Sequence, residues 1–323
     1  MTGEIHTLPI PTPFAVGRVN CYLLTGEPLT LVDTGPNSGT ALDSLEQLLS
    51  EHEVAIEDLE LVVLTHQHMD HEGLLEIVAR RSGAEVAAFG QLAPWLAEYM
   101  ASAEADDEFA QDVMRQHGVP EDVTTVLGVV ARAYRGYGSS GNVTRTLADG
   151  DILTMGGREF EVHHRPGHSP SDLVFWEPAT GLLIGGDHLI GHISSNAVVT
   201  RPLNESGPTE RPRPLLEYIA SLKATRALPV REVLPGHGEP ITNHRQLIDD
   251  RLAMHERRAA KILKMLESGP LTAHEIALGI WGNIAVTQAY LTLSEVLGHM
   301  DLLQLRGKVT AVNTGSLTRF ETS

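Results

Sequence analysis

Thr65-His66-Gln67-His68-Met69-Asp70-His71 places four potential metal ligands within six positions. In extended chain His66 and His68, two residues apart, project to the same side. Asp70 and His71 follow where the chain turns into a helix. Imidazoles with a carboxylate suit Zn²⁺, with Mn²⁺ or Fe²⁺ as alternatives. Three more candidates each end a strand-like run beside glycine: His168 in Pro166-Gly167-His168-Ser169, Asp187 in Gly185-Gly186-Asp187-His188, and His237 in Pro235-Gly236-His237-Gly238. Small neighbours let backbones converge on a shared site. A single His or Asp in a turn is ordinarily polar surface; the joint occurrence with the first cluster carries the weight. Metal binding lowers the pKa of water from about 15.7 towards about 7, so the expected chemistry is hydrolysis without a Ser or Cys nucleophile. The one cysteine, Cys21, reads as a buried strand residue.

These residues need a rigid sheet edge to hold them. Asn20 to Leu24 and Leu29 to Gly35 are short apolar runs separated by Gly26-Glu27-Pro28, which predicts a hairpin. A helical spacing of leucines follows from Thr40 to Ser50, then a continuous apolar run from Leu59 to His66. Strand, helix, strand implies a buried sheet with a crossover helix. Glu72 to Arg81 reads as a helix and Glu85 to Phe89 as a strand. Residues 91–140 break this rhythm with helical patterns and look like an insertion. Strands resume from Arg145 to about Gly186, with turns at Gly156-Gly157 and Pro178 to Gly181. The last part reads as three helices, Gln246 to Leu266, one opened by the capping box Thr272-Ala273-His274-Glu275, and Thr287 to Leu305. A hairpin around Asn313-Thr314-Gly315 closes the chain. The expected organisation is a catalytic domain over residues 1–245 and a winged-helix-like domain over 246–323.

The set Asp33-Thr34-Gly35, His66-Gln67-His68-Met69-Asp70-His71, Pro166-Gly167-His168, Gly186-Asp187 and Pro235-Gly236-His237-Gly238 resembles the metallo-β-lactamase superfamily. The resemblance covers roughly residues 5–245. It implies an α/β fold, an αββα sandwich of two mixed sheets with helices outside and metals at one sheet edge. It further implies that His66, His68 and His168 bind a first metal, that Asp70, His71 and His237 bind a second, and that Asp187 bridges them. Within the superfamily the bridging Asp187 points to the hydrolases. The C-terminal module is similar to the lactamase-β-like 2 and glyoxalase II-like branch with a winged-helix domain. The charge balance fits such chemistry: two divalent cations against Asp70, Asp187 and one hydroxide leave roughly one positive charge to stabilise an oxyanion. Asp70 and Asp187 are therefore the expected catalytic carboxylates.

Composition narrows the substrate. The chain has 323 residues, 24 Lys and Arg against 42 Asp and Glu, and a net charge of -18. Such a chain repels polyphosphates and anionic lipid at long range. Residues 246–323 hold 8 basic and 8 acidic side chains, so the acid excess lies in the first 245. The candidate recognition helix, Thr287 to Leu305, has no Lys or Arg, which argues against DNA. His255, Arg257, Arg258, Lys261 and Lys264 read as a solvated face. There is no apolar run of transmembrane length, and the N-terminal MTGEIHTLPIPTPF lacks the pattern of a secretory signal, so a cytoplasmic location is expected. The expected function is binuclear hydrolysis of an ester or thioester, an acyl thioester or lactone, in which a metal-bridging hydroxide attacks the carbonyl. A phosphodiesterase or endoribonuclease acting on single-stranded RNA is the alternative. The inserted helices read as a lid whose Trp95, Tyr99, Phe109, Met114, Tyr134 and Tyr137 line an apolar pocket, or else as a self-packed unit or a homodimer contact. His188 and His192, just after Asp187, are candidate substrate contacts.

Overall fold

Continuous apolar runs become strands buried on both faces, and the leucine-spaced segments between them become the helices that cover them. The computed structural model describes residues 3–203 and 211–323. The first sheet contains β1 (Ile5–Ile10), β2 (Val19–Leu24), β3 (Thr30–Val32), β4 (Leu61–Val63), β5 (Glu85–Phe89) and β6 (Arg145–Leu147), in sequential order. β1 to β3 pair antiparallel and β3 to β6 parallel. The hairpin at Gly26-Glu27-Pro28 and the β3–helix–β4 crossover are as the sequence predicts. Helices α1 (Gly39–Ser50), α2 (Met69–Glu72) and α3 (Leu75–Ser82) follow β3 and β4. The Ser38 hydroxyl caps α1 by accepting from the Ala41 amide, satisfying a donor the first turn leaves open. The predicted Glu72 to Arg81 helix is thus α3 alone, with Glu72 ending the short α2.

The second sheet contains β7 (Ile152–Met155), β8 (Arg158–His164), β9 (Leu173–Glu177), β10 (Leu182–Gly186) and β11 (Glu232–Pro235), ordered β11-β10-β9-β8-β7. Only β10 and β11 pair parallel within it. Side chains of both sheets, among them Leu23, Leu31, Val63, Phe160, Val162, Phe175 and Ile184, share one apolar core with α1 and α3. The outer face of the second sheet, Val174, Leu183 and Val233, packs on α7 (Pro214–Ala227) and α8 (His244–Leu266) through Leu215, Tyr218, Leu222 and Ile248. Helices therefore lie outside two facing mixed sheets, the expected αββα arrangement.

Residues 91–140 form α4 (Ala93–Ala97), α5 (Tyr99–Gln116) and α6 (Glu121–Tyr134). After α8 come β12 (Leu271–Thr272), α9 (Ala273–Trp281), α10 (Ile284–Thr287), α11 (Ala289–Leu305), β13 (Val309–Thr314) and β14 (Leu317–Thr322), the strands ordered β12-β14-β13. The capping box at Thr272 and Glu275 is formed. The helix expected over Thr287 to Leu305 is α11, which starts at Ala289 because Gln288, at φ -124° and ψ 42°, is not helical and separates it from α10. Val113, Met114 and Val119 share one apolar cluster with Ile262, Ile276, Leu293, Leu297, Met300 and Phe320. The tip of the insertion is thus built into the core of the C-terminal helices.

One expectation is corrected here, and one alternative is favoured. His255 does not belong to a solvated face: it is buried and its Nδ1 lies 3.3 Å from His299 Nε2, while Arg257, Lys261 and Lys264 are exposed. Trp95 follows the self-packed alternative offered for the insertion. It is buried, its indole N–H donates to Asp106 Oδ2 at 2.8 Å, and its ring meets Tyr99 edge-on. A buried indole needs a partner for its N–H, and Asp106 provides one inside the insertion. Tyr99 and Met114 are likewise buried, and Phe109 packs on the C-terminal cluster.

Candidate metal centre

Four chain segments meet at one edge of the two sheets. The first runs from β4 into α2 and carries His66, His68, Asp70 and His71. The second follows β8 and carries His168; the third follows β10 and carries Asp187; the fourth follows β11 and carries His237. The structure brings all seven predicted donors together. His66 Nε2 lies 3.0 Å from His68 Nδ1, and His168 Nε2 lies 2.9 Å from the same atom. Three nitrogens about 2.0–2.1 Å from one tetrahedral ion sit about 3.3 Å apart, so this triangle is close to the size a single cation requires. Asp70 Oδ2 lies 3.3 Å from His237 Nε2. Asp187 stands between the groups, with Oδ1 3.4 Å from His71 Nε2 and Oδ2 3.5 Å from His237 Nε2 and 3.6 Å from His168 Nε2.

The far side of four rings is fixed by an acceptor. His71 Nδ1–H donates to Asp33 Oδ2 at 2.8 Å, His237 Nδ1–H to the Arg18 carbonyl at 2.8 Å, and His168 Nδ1–H to the Asn196 carbonyl at 3.0 Å. The Thr65 hydroxyl donates to Asp33 Oδ2, so its oxygen accepts from His66 Nδ1–H at 3.0 Å. With the proton on Nδ1, each Nε2 presents a lone pair inward. Such outer hydrogen bonds fix the tautomer and ring orientation of metal-binding histidines. Buried atoms normally find hydrogen-bond partners, yet His71 Nε2, His237 Nε2 and Asp187 Oδ1 have none among the described residues. Orphaned ligand atoms beside fixed acceptors, at His71, His237 and Asp187, fit a cation.

Electrostatics divides the site. Burial, reinforced by neighbouring imidazoles, holds His66 well below the usual histidine range and pushes His68 down to about 3. His168 is lowered as well, chiefly by burial. At the other end burial opposes charge on His71, but Asp187, Asp33 and Asp70 outweigh it and raise the ring well above its ordinary value. Burial is similarly outweighed at His237, which Asp187 and Asp70 bring up to about 9. Burial opposes ionisation of Asp70 and Asp187, but His71 and His237 lower both. The carboxylates stay anionic in the interior because positive charge is close, and metal cations would take over that role as the rings release protons.

Close backbone approach is needed to assemble this. A Cβ on Gly236 would run into Asp187 Oδ1 and His71 Cε1. Several positioning residues were given no site role by the sequence reading. Asp33, at φ 59°, accepts from the Thr65 amide and hydroxyl, each at 2.8 Å, as well as from His71. Its sequence signal was present, since Asp33 ends a buried strand in the quoted Asp33-Thr34-Gly35. Asn20 Nδ2 donates to the Pro235 and Gly238 carbonyls at 3.0 and 2.8 Å, and Tyr22 Oη to Pro235 at 2.7 Å, bracing the His237 turn. Gln67 Oε1 accepts from Ser169 and Ser171 hydroxyls, tying the His66–His68 segment to that of His168. Nothing local in the sequence marks these long-range bonds.

The expected substrate contacts separate. His188 is corrected: it is 1% exposed, its Nε2 lies 2.8 Å from Thr225 Oγ1 beneath α7, and burial drives it down to about 3. His192 is exposed and its ring lies over Gly238, next to His237. Tyr134 and Tyr137 form an aromatic group with Phe14, ring centroids 5.8–6.0 Å apart. The Tyr137 carbonyl abuts Gly73, just after α2, and accepts from the Asn37 amide at 2.7 Å.

Residues 15–237 match the family described as the metallo-beta-lactamase superfamily. The protein named "Probable metallo-hydrolase YqjP" from Bacillus subtilis (strain 168) is 33% identical over 322 residues, 99% of this chain and 98% of that one. More distantly, the "Atrochrysone carboxyl ACP thioesterase" of Aspergillus fumigatus is 22% identical over 263 residues, 80% of this chain and 62% of that one. The crystal structure of a metallo-beta-lactamase family protein from Thermus thermophilus has a TM-score of 0.81 at 28% identity, covering 99% of this chain and 98% of that one. The family match encloses every donor from His66 to His237, and the bacterial relatives run the whole length; the chain belongs to the metallo-beta-lactamase superfamily and is a metal-dependent hydrolase.

Proposed function

We propose that this hydrolase holds two divalent cations, Zn²⁺ first among them, and cleaves an ester or thioester carbonyl on a small acyl substrate. The observation that carries the reading is Asp187: one carboxylate faces donors of both clusters, through Oδ1 to His71 and through Oδ2 to His168 and His237. His66, His68 and His168 would hold one cation, Asp70, His71 and His237 the other. Bound there, the cations would supply a nucleophilic water near neutral pH and Lewis acidity towards the carbonyl oxygen. The residues do the rest. Asp33, Arg18 and Asn196 keep the imidazole lone pairs aimed inward. Asp70 and Asp187 offset the positive charge, leaving an excess that favours the tetrahedral oxyanion. His192, exposed beside the His237 turn, is placed to protonate a leaving group. Phe14, Tyr134 and Tyr137 offer an apolar surface for an acyl or aromatic portion. The name of the fungal thioesterase supports the thioester class, and the net charge of -18 supports a small substrate over RNA.

The experiment is a hydrolysis panel of thioesters, lactones, carboxylic esters, phosphodiesters and RNA, with metal analysis of the same preparation. Turnover of a thioester or ester should fall to background on chelation and in Asp187→Ala or His68→Ala. Full activity of metal-stripped protein, or cleavage restricted to RNA, refutes the proposal.

A further inference from the structure

We infer that the C-terminal helices α8 and α11 hold the metal centre in register, with Arg251 and Asn196 as the positioning residues through which they act. The inference rests on the proposed two-ion reading. The stretch 187–199 connects the bridging Asp187 to the carbonyl of Asn196, which orients His168. It contains no helix or strand, so no regular ladder fixes its path, and its backbone groups need partners from outside. α8 provides one set. Nη2 of Arg251 lies 3.3, 3.2 and 2.8 Å from the carbonyls of Ile190, Gly191 and Ile193. A single guanidinium nitrogen gathers three carbonyls of the turn that follows Asp187. α11 provides the other set. Asn196 Nδ2 donates to the Leu291 carbonyl at 2.9 Å, the Val199 amide donates to Ser294 Oγ at 3.2 Å, and the Tyr290 hydroxyl donates to the Val199 carbonyl.

Asn196 is the junction. Its side chain is bonded to α11 while its own carbonyl accepts from His168 Nδ1 at 3.0 Å. Within the stretch the Ser195 hydroxyl donates to the Asp187 carbonyl. A shift of α11 is therefore passed to the imidazole of one cluster and to the backbone of the bridging carboxylate. Donor sets of this kind must be held to about 0.5 Å to keep their geometry, and an irregular stretch needs external bonds to meet that. The C-terminal module lies outside the family match to residues 15–237, yet it supplies those bonds.

The test is chelator competition for Zn²⁺ on the full-length chain, comparing wild type with Arg251→Met, Arg251→Lys and Asn196→Leu, which retains the Asn196 carbonyl but loses the amide. Arg245→Met is the matched control: it lies on the same helix, and its guanidinium bonds the Arg226 and Leu228 carbonyls, at 3.3 and 3.4 Å, away from the site. Arg251→Met and Asn196→Leu should each weaken at least one Zn²⁺ by about 10- to 100-fold. Arg251→Lys should recover part of the loss, and Arg245→Met should bind as wild type. The inference is overturned if the folded Arg251→Met and Asn196→Leu proteins bind both ions as wild type does, or if Arg245→Met weakens binding equally. If Arg251→Met does not fold, Asn196→Leu decides. A wild type that binds one ion refutes the two-ion reading, with the coupling still scored on that ion; a wild type that binds none refutes both.

Discussion

Asp33→Asn isolates the orientation of one imidazole. Asp33 is 2% exposed and accepts three hydrogen bonds, from the Thr65 amide, the Thr65 hydroxyl and His71 Nδ1, each at 2.8 Å. Its φ of 59° is a left-handed conformation that Asn adopts as readily as Asp, so the substitution leaves the backbone in place. It changes one acceptor oxygen into a donor. If the amide oxygen stays on the Thr65 N–H, the NH₂ group faces His71 Nδ1, which must then accept. The ring proton moves to Nε2 and blocks the lone pair that faces Asp187. If the amide flips, NH₂ meets the Thr65 N–H, and two buried donors oppose each other. Either mismatch costs about 1–3 kcal/mol, corresponding to roughly 5- to 150-fold in metal affinity, which brackets the 10- to 100-fold common for such outer partners. Zn²⁺ competition against a chromophoric chelator reads this directly, with hydrolysis of the best panel substrate as a second readout. A folded Asp33→Asn protein that holds metal and turns over substrate as wild type does would show that the Asp33–His71 bond does not set the ligand geometry.

Gly236→Ala should lose metal and activity together, because its Cβ collides with Asp187 Oδ1 and His71 Cε1; wild-type metal content by elemental analysis would contradict the packing. Trp95→Phe should keep kcat/KM near wild type and lower stability by about 1–3 kcal/mol, since it removes the bond to Asp106 and leaves part of the buried indole's volume unfilled; a large loss of kcat/KM would place Trp95 at the substrate site. His117 is pushed down to about 4 by burial and then by Arg211, against 6.5 in the unfolded chain. As the pH falls through 6.5 the unfolded state therefore binds the extra proton, and the contribution of His117, complete well above that pH, is lost as the pH falls towards 4. Between pH 7.5 and 5 the loss is about 2 kcal/mol. His117→Phe, which keeps a ring against Phe320, should flatten the fall by that amount in denaturant titrations; an unchanged pH slope would exclude the mechanism.

The seven donors, the two hairpins and the crossover were legible because each is a local pattern. A ligand-rich turn after a buried strand, or a glycine pair between alternating runs, declares itself within a few residues. His188 was misread, and Trp95 left open between pocket and core, for the converse reason. Adjacency to Asp187 said nothing about which way His188 faces, and an aromatic at helical spacing is equally suited to a core and to a pocket. His255 looked like part of a basic face until α11 packed over it.

The amino-acid sequence by itself determined the element order, the inventory of candidate metal ligands and the acid excess, since those depend on residue type and short spacing. Tertiary structure decided which atoms of those ligands face one another and which outer groups orient them. It joined the tip of the insertion to the C-terminal core, and it set Arg251 and Asn196 over the stretch that follows Asp187. Hydrogen bonds between residues such as Asn20 and Gly238, or Asn196 and Leu291, form only when distant segments meet, so no local pattern encodes them.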